Sequence, residues 1–167
     1  MSRPYSIRIF LPTGEPDGLR TIEKSNWSGA GIVLPRALIT EARSRPELDR
    51  TGVYVLLGPP EDSALPRVYV GEGDPIRPRL DQHACRKDFW TVCVAFTSKD
   101  SHLNKAHVQF LESRLISLAT SAKRCVLENG NIPALPTLSE ADSADAEGFL
   151  TARRRMGVFW LHWARPP

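Results

Sequence analysis

This 167-residue chain is defined first by what it has little of. Cysteine is sparse: Cys85, Cys93 and Cys125 are odd in number, widely spaced and without a C-x-x-C pair. That pattern excludes a disulfide framework and a zinc knuckle, and it suits a reducing compartment. No apolar run approaches the roughly 20 residues of a membrane-spanning helix. The opening MSRPYSIRIFLPTG, with its very short apolar run, does not read as a signal peptide. Charge of one sign is not in excess, the formal net charge being +3, so an anionic partner is admitted but not demanded. There is no internal repeat, no Walker loop and no G-x-S-x-G elbow. Gly71 and Gly73 follow an apolar run, but the third glycine of a dinucleotide-binding turn is missing. His102 and His107 are five apart, off the spacing of two zinc ligands on a helix. The expectation is a cytoplasmic protein with no membrane partner.

What is present is ordinary globular material, 41% hydrophobic and 25% charged, enough for one compact domain with a small appendage. YSIRIFL alternates like a strand, LRTIEKSNW is a second and partly polar strand, and AGIVLP is a short buried one. RALITEARSR has helical spacing and ends before Pro46. From Thr51 the texture changes. TGVYVLLG and RVYVG are strands separated by a proline-bracketed loop, and loops of that length join antiparallel neighbours. A helix follows, expected to be capped by Asp74 with Pro75 as its first residue. FWTVCVAFTS is a third strand, and Asp100 or Ser101 is expected to cap the long helix HLNKAHVQFLESRLISLATSA. After the turn-rich ENGNIPALPTLS, SEADSADAEGFLTARR has the capping box of a helix, Ser139 with Asp142. The tail ARRRMGVFWLHWARPP reads as a final strand packed on the core, with nucleic-acid binding through Arg153, Arg154, Arg155, Trp160 and Trp163 as the alternative.

Chemistry concentrates between 54 and 112. On the long helix, Val108, Leu111, Leu115, Ile116, Leu118 and Ala119 share one apolar arc, and Glu112 lies inside it. A carboxylate there costs several kcal/mol unless it is paired or holds a cation. It reads either as a glutamate at the arc's edge that pairs or snorkels, or as a metal-binding carboxylate at the floor of a cleft. Arg79 and His83, four apart, are neighbours on one helix face. Tyr54 and Tyr69 alternate with valines, so each phenol points to one face of its strand.

GVY, then YVG, then Arg79 in a helix, then Glu112 in FLESRLI, in that order, resembles the GIY-YIG nuclease superfamily over roughly residues 51–131. The resemblance implies an α/β (α+β) fold: a small, mainly antiparallel three-stranded sheet flanked by helices, β-β-α-β-α. Residues 1–50 would be an N-terminal β-rich extension, 51–131 the nuclease-like domain, and 132–167 a C-terminal helical or tail segment. It implies a metal-dependent endonuclease acting on DNA with one Mg²⁺ (or Mn²⁺) at Glu112. Arg79 would stabilise charge on the scissile phosphate, while Tyr54, Tyr69 and His83 surround the attacking water, with Tyr54 as general base. A phenol with an ordinary pKa of about 10 does this near neutrality only if Arg79 and the metal lower that value. Gly71, Arg77 and Asn129 are the candidate substrate contacts, Asn131 competing with Asn129 for the late asparagine of the family. Glu72 departs from the pattern, since the excision-repair member has a lysine there. So small a domain would take its targeting from a second copy or a partner protein. The alternative is a silent nucleic-acid- or partner-binding module on the same fold.

Overall fold

The two most continuously apolar runs, GAGIVLP and VCVAFTS, lie side by side at the middle of one sheet. The computed structural model describes residues 4–163, with side chains described as far as Thr151. Its strands are β1 (Ile7–Phe10), β2 (Arg20–Lys24), β3 (Gly29–Pro35), β4 (Gly52–Gly58), β5 (Arg67–Gly73), β6 (Val92–Ser98) and β7 (Val126–Leu127). They line up in the order β1-β2-β3-β6-β4-β5-β7. All neighbours are antiparallel except β5 and β7, which run parallel.

The expected three-stranded sheet is therefore corrected to a seven-stranded mixed one in an α+β fold. The three anticipated strands, β6-β4-β5, are present, but β6 does not end the sheet. β3 pairs with it from Gly29↔Ser98 to Pro35↔Val92, satisfying a row of backbone groups that would otherwise stand bare. A strand with neighbours on both sides and cover on both faces is apolar throughout, as β3 is. The 1–50 segment thus extends the same sheet.

Alternation along the strands divides the core in two. Tyr54, Leu56, Ile32, Leu34, Cys93 and Ala95 face α1 (Arg77–Arg86) through Ile76 and Leu80. Val53, Val70, Val33, Val94 and Phe96 face α2 (Lys105–Ala122) and α3 (Glu140–Trp163) through Val108, Leu111, Leu115 and Phe149. Each such side chain, fully buried, contributes roughly 1.5–3 kcal/mol, so the sheet is clamped from both sides.

Several local expectations change. RALITEARSR is not an α-helix: the prolines at 35 and 46 bracket it, and residues 36–49 form three short 3-10 turns. α1 starts at Arg77 rather than Pro75, and Asp74 accepts a hydrogen bond from Thr51 Oγ1 at 2.5 Å instead of capping. α2 is capped by Asn104, not by Asp100 or Ser101. Ser101 sits at a φ of 58°, outside the extended geometry of an N-cap, and Asn104 Oδ1 accepts from His107 N at 3.0 Å. Ser139 does cap α3, its Oγ accepting from Asp142 N at 3.1 Å. The backbone of the tail continues α3 as helix to Trp163, not as a strand. The side chains of Arg153, Arg154, Arg155, Trp160 and Trp163 lie outside the described ones. Among the described residues no helix is long and apolar enough to cross a membrane.

Candidate active site

The register of β4 on β5 sets Tyr54 opposite Gly71 and Leu56 opposite Tyr69. Tyr54, Tyr69 and Gly71 consequently project toward the α1 face, and Val53, Val70 and Glu72 toward α2. Gly71 is glycine for a steric reason: a Cβ there would overlap the Tyr54 hydroxyl. The phenol lies across its strand partner and is completely buried.

α1 brings His83 onto the two tyrosines. Its Nε2 is 2.7 Å from the Tyr54 hydroxyl, and its ring centroid is 4.9 Å from that of Tyr69 and 5.6 Å from that of Tyr54. The helix is held in place from its C-terminal end. Arg36, from the N-terminal segment, donates to Ala84 O at 2.9 Å, and Trp90 Nε1 donates to His83 O at 3.4 Å.

Burial decides the protonation states. It drives the Tyr54 phenol above its ordinary value, Tyr69 adding to the rise and Arg79 opposing it both by charge and by hydrogen bonding. The same cause raises Tyr69, again with Arg79 in opposition. Burial, then the charges of Lys87 and Arg79, lower His83 to about 4. At neutral pH both partners of the 2.7 Å contact are uncharged. One hydrogen lies between the Tyr54 oxygen and His83 Nε2, its direction set by the imidazole tautomer. In the free protein desolvation outweighs the lowering that Arg79 supplies to the Tyr54 phenol.

Glu112 comes from α2, on the other face. It is half-buried, and its carboxyl is raised to about 7 by burial and then by Glu72, while Arg79 and Lys105 pull it down. Its influence reaches Tyr69, whose phenol it helps to raise. The edge of β5 at Gly71 is where the two faces meet. Glu72 is paired there with Lys105, whose Nζ donates to both carboxylate oxygens at 2.6 and 2.8 Å. Lys87 stands on the α1 side with its Nζ 4.5 Å from the Tyr69 ring centroid.

Of the sequence candidates, Tyr54, Tyr69 and His83 are in contact, Arg79 acts on all three and on Glu112, Glu112 reaches the group through Tyr69 and Arg79, and Gly71 lies under the Tyr54 hydroxyl. Two others are occupied elsewhere. Arg77 donates to Asp49 Oδ1 at 2.6 Å and to Arg45 O at 3.1 Å. Asn129 is used on the backbone of β5: its Oδ1 accepts from Val70 N at 3.0 Å and its Nδ2 donates to Val70 O at 2.8 Å. It continues the pairing where β7 stops. Sequence reasoning missed Lys87 and the Glu72–Lys105 pair. Only the position of Lys105 was within reach, since it precedes Glu112 by seven residues and so shares its helix face. His107, unsuited to zinc by spacing, serves the α2 cap, its Nδ1 accepting from Asn104 N at 3.3 Å.

The donor set bears on a metal. Among the described residues no group of three or more His, Cys, Asp or Glu side chains is placed to hold an ion. A carboxylate raised to about 7 by burial and then by a second carboxylate is, however, relieved by a hard cation. Mg²⁺ suits so sparse a set, because it retains waters and takes its remaining ligands from substrate phosphate. Comparison of the chain with protein-family models, curated proteins and solved structures finds no match.

Proposed function

We propose that the protein is a metal-dependent endonuclease of the GIY-YIG type, hydrolysing phosphodiester bonds in DNA. The observation that carries this reading is the 2.7 Å contact between the Tyr54 hydroxyl and His83 Nε2, made under the charge of Arg79, which also acts on Glu112. A buried phenol is a poor base by itself. Tyr54 can nevertheless accept a proton from water while passing its own to Nε2, so that no phenolate forms and neutral His83 is the final acceptor. Arg79, oriented by Gln82 Oε1 at 3.3 Å, directs its remaining donors at the charge that grows on the phosphate. Tyr69 walls the water on its other side. Glu112, with Glu72 nearby, would hold Mg²⁺ or Mn²⁺, which when bound supplies positive charge against a phosphate oxygen.

The second reading, a binding module without turnover, is favoured by the complete burial of Tyr54 in the free protein. Plasmid nicking in Mg²⁺ and in Mn²⁺, with RNA and nucleotide diesters in parallel, separates the two. Nicking that Arg79→Ala reduces at least 100-fold while the fold is retained supports the nuclease. Equal nicking by wild type and Arg79→Ala would mark a contaminant and remove the proposal, and cleavage confined to RNA or nucleotides would reassign the substrate.

A further inference from the structure

A DNA backbone crossing the β5 edge needs cations beside the reacting groups, and the residues first in line from the sequence do not supply them. Arg77 is tied to Asp49 and Arg45 O, and Asn129 to Val70. Arg79 is bonded to Gln82 Oε1, and its charge is felt at the buried phenol. Among the described residues Lys87 and Lys105 do stand beside these groups, and they approach from opposite faces of the sheet. Lys87, at the end of α1, lies over Tyr69, and its charge is felt at His83. Lys105, in the first turn of α2, has a side chain 54% exposed and is felt at Glu112. An ammonium has three N–H donors. Glu72 takes two from Lys105, leaving one for an outside acceptor while fixing where the charge sits. The groups that would do the chemistry stand between these two cations.

We infer that Lys87 and Lys105 are substrate-contacting residues, each holding a phosphate on one side of the scissile one, so that the DNA strand crosses the open edge of β5 from the α1 face to the α2 face. This rests on the nuclease reading and adds the path of the substrate to it. Each phosphate neutralised by a lysine adds about 0.9 to the slope of log K against log salt on duplex DNA.

The test is duplex binding by fluorescence anisotropy in Ca²⁺ between 50 and 200 mM salt, on the Glu112→Gln background, beside single-turnover cleavage by the otherwise wild-type chain. Lys87→Met and Lys105→Met are each expected to flatten the slope by about 0.9 and to weaken binding several-fold at low salt. Lys105→Arg should restore the slope, because the charge rather than the amine is what phosphate requires. Lys24→Met, on β2 and four strands away from β5 in the sheet, should leave the slope unchanged. Unaltered slopes for the Lys87 and Lys105 variants, with cleavage intact, would overturn the path and leave the nuclease standing. So would a loss of thermal stability in Lys105→Met without a change of slope, since that marks a structural pair. A wild-type chain that neither binds nor cuts DNA would overturn both readings.

Discussion

Tyr54 Oη and His83 Nε2 are 2.7 Å apart in a site where neither side chain is more than 5% exposed. Each is the other's answer to burial. The phenol could not keep its hydroxyl hydrogen away from water without an acceptor, and the imidazole could not stay neutral and buried without a donor. The strand pairing that puts Tyr54 opposite Gly71 and the helix that carries His83 are both required for the contact.

Tyr54→Phe should therefore harm both folding and chemistry. It leaves Nε2 buried without a partner, a loss of about 1–3 kcal/mol, measurable as a lower urea midpoint at unchanged m-value. If the phenol relays the proton, single-turnover cleavage should fall by roughly 10²–10⁴-fold. Full activity in Tyr54→Phe would exclude the relay.

Gly71→Ala tests the geometry without removing a functional group. The added methyl would displace the Tyr54 hydroxyl from His83. An overpacking loss of about 1–3 kcal/mol is expected, with the pH at which His83 titrates, followed by NMR, moving from its wild-type position. Wild-type stability and an unmoved His83 titration would show that the phenol has slack.

Glu112 makes stability depend on pH in a definite direction. Its folded pKa, about 7, lies above the ordinary 4.5, so the folded protein holds the extra proton between those values. The stability from this group is present in full below pH 4.5 and is lost as pH rises through 7. Glu112→Gln should match wild type near pH 4 and exceed it at pH 8, by about 1 kcal/mol once solvent screening of a half-exposed group is allowed for. His83 works the other way. Its pKa is lowered from 6.5 to about 4, so its contribution is present above 6.5 and fades as pH falls toward 4. Equal melting temperatures for wild type and Glu112→Gln at pH 8 would contradict the raised carboxyl.

Asn129 makes a prediction that contrasts with a substrate role. Both its amide groups bond Val70, so Asn129→Ala should cost about 1–3 kcal/mol through two backbone groups left unpaired. The salt slope of DNA binding should not change. A stable variant with weakened binding would return Asn129 to the substrate side.

Much of the site was legible in the chain. Period-two alternation set each phenol opposite the valines of its own strand, the β4–β5 register bringing the two to a shared face, and the i, i+4 spacing put Arg79 beside His83. The position of Glu112 within an apolar arc marked it as a costly carboxylate. The sheet was harder to read. That GAGIVLP pairs with VCVAFTS, more than fifty residues away in the chain, depends on which bare strand edge is nearest in space, and no local pattern encodes that. The same holds for Asn129, whose amide imitates a strand, and for Lys105, whose partner Glu72 lies on a different element. The cap of α2 was misplaced for a local reason. Asp100 and Asn104 are both good capping residues, and the left-handed backbone at Ser101 decided between them.

The most direct measurement is single-turnover cleavage of a labelled DNA duplex in Mg²⁺ by wild type and Glu112→Gln, purified identically and matched for folded fraction. Cleavage by wild type, abolished by EDTA and reduced at least 100-fold by Glu112→Gln, is expected. Equal cleavage by the two proteins, or none by either, would contradict the assignment of a nuclease centre to the edge of β5.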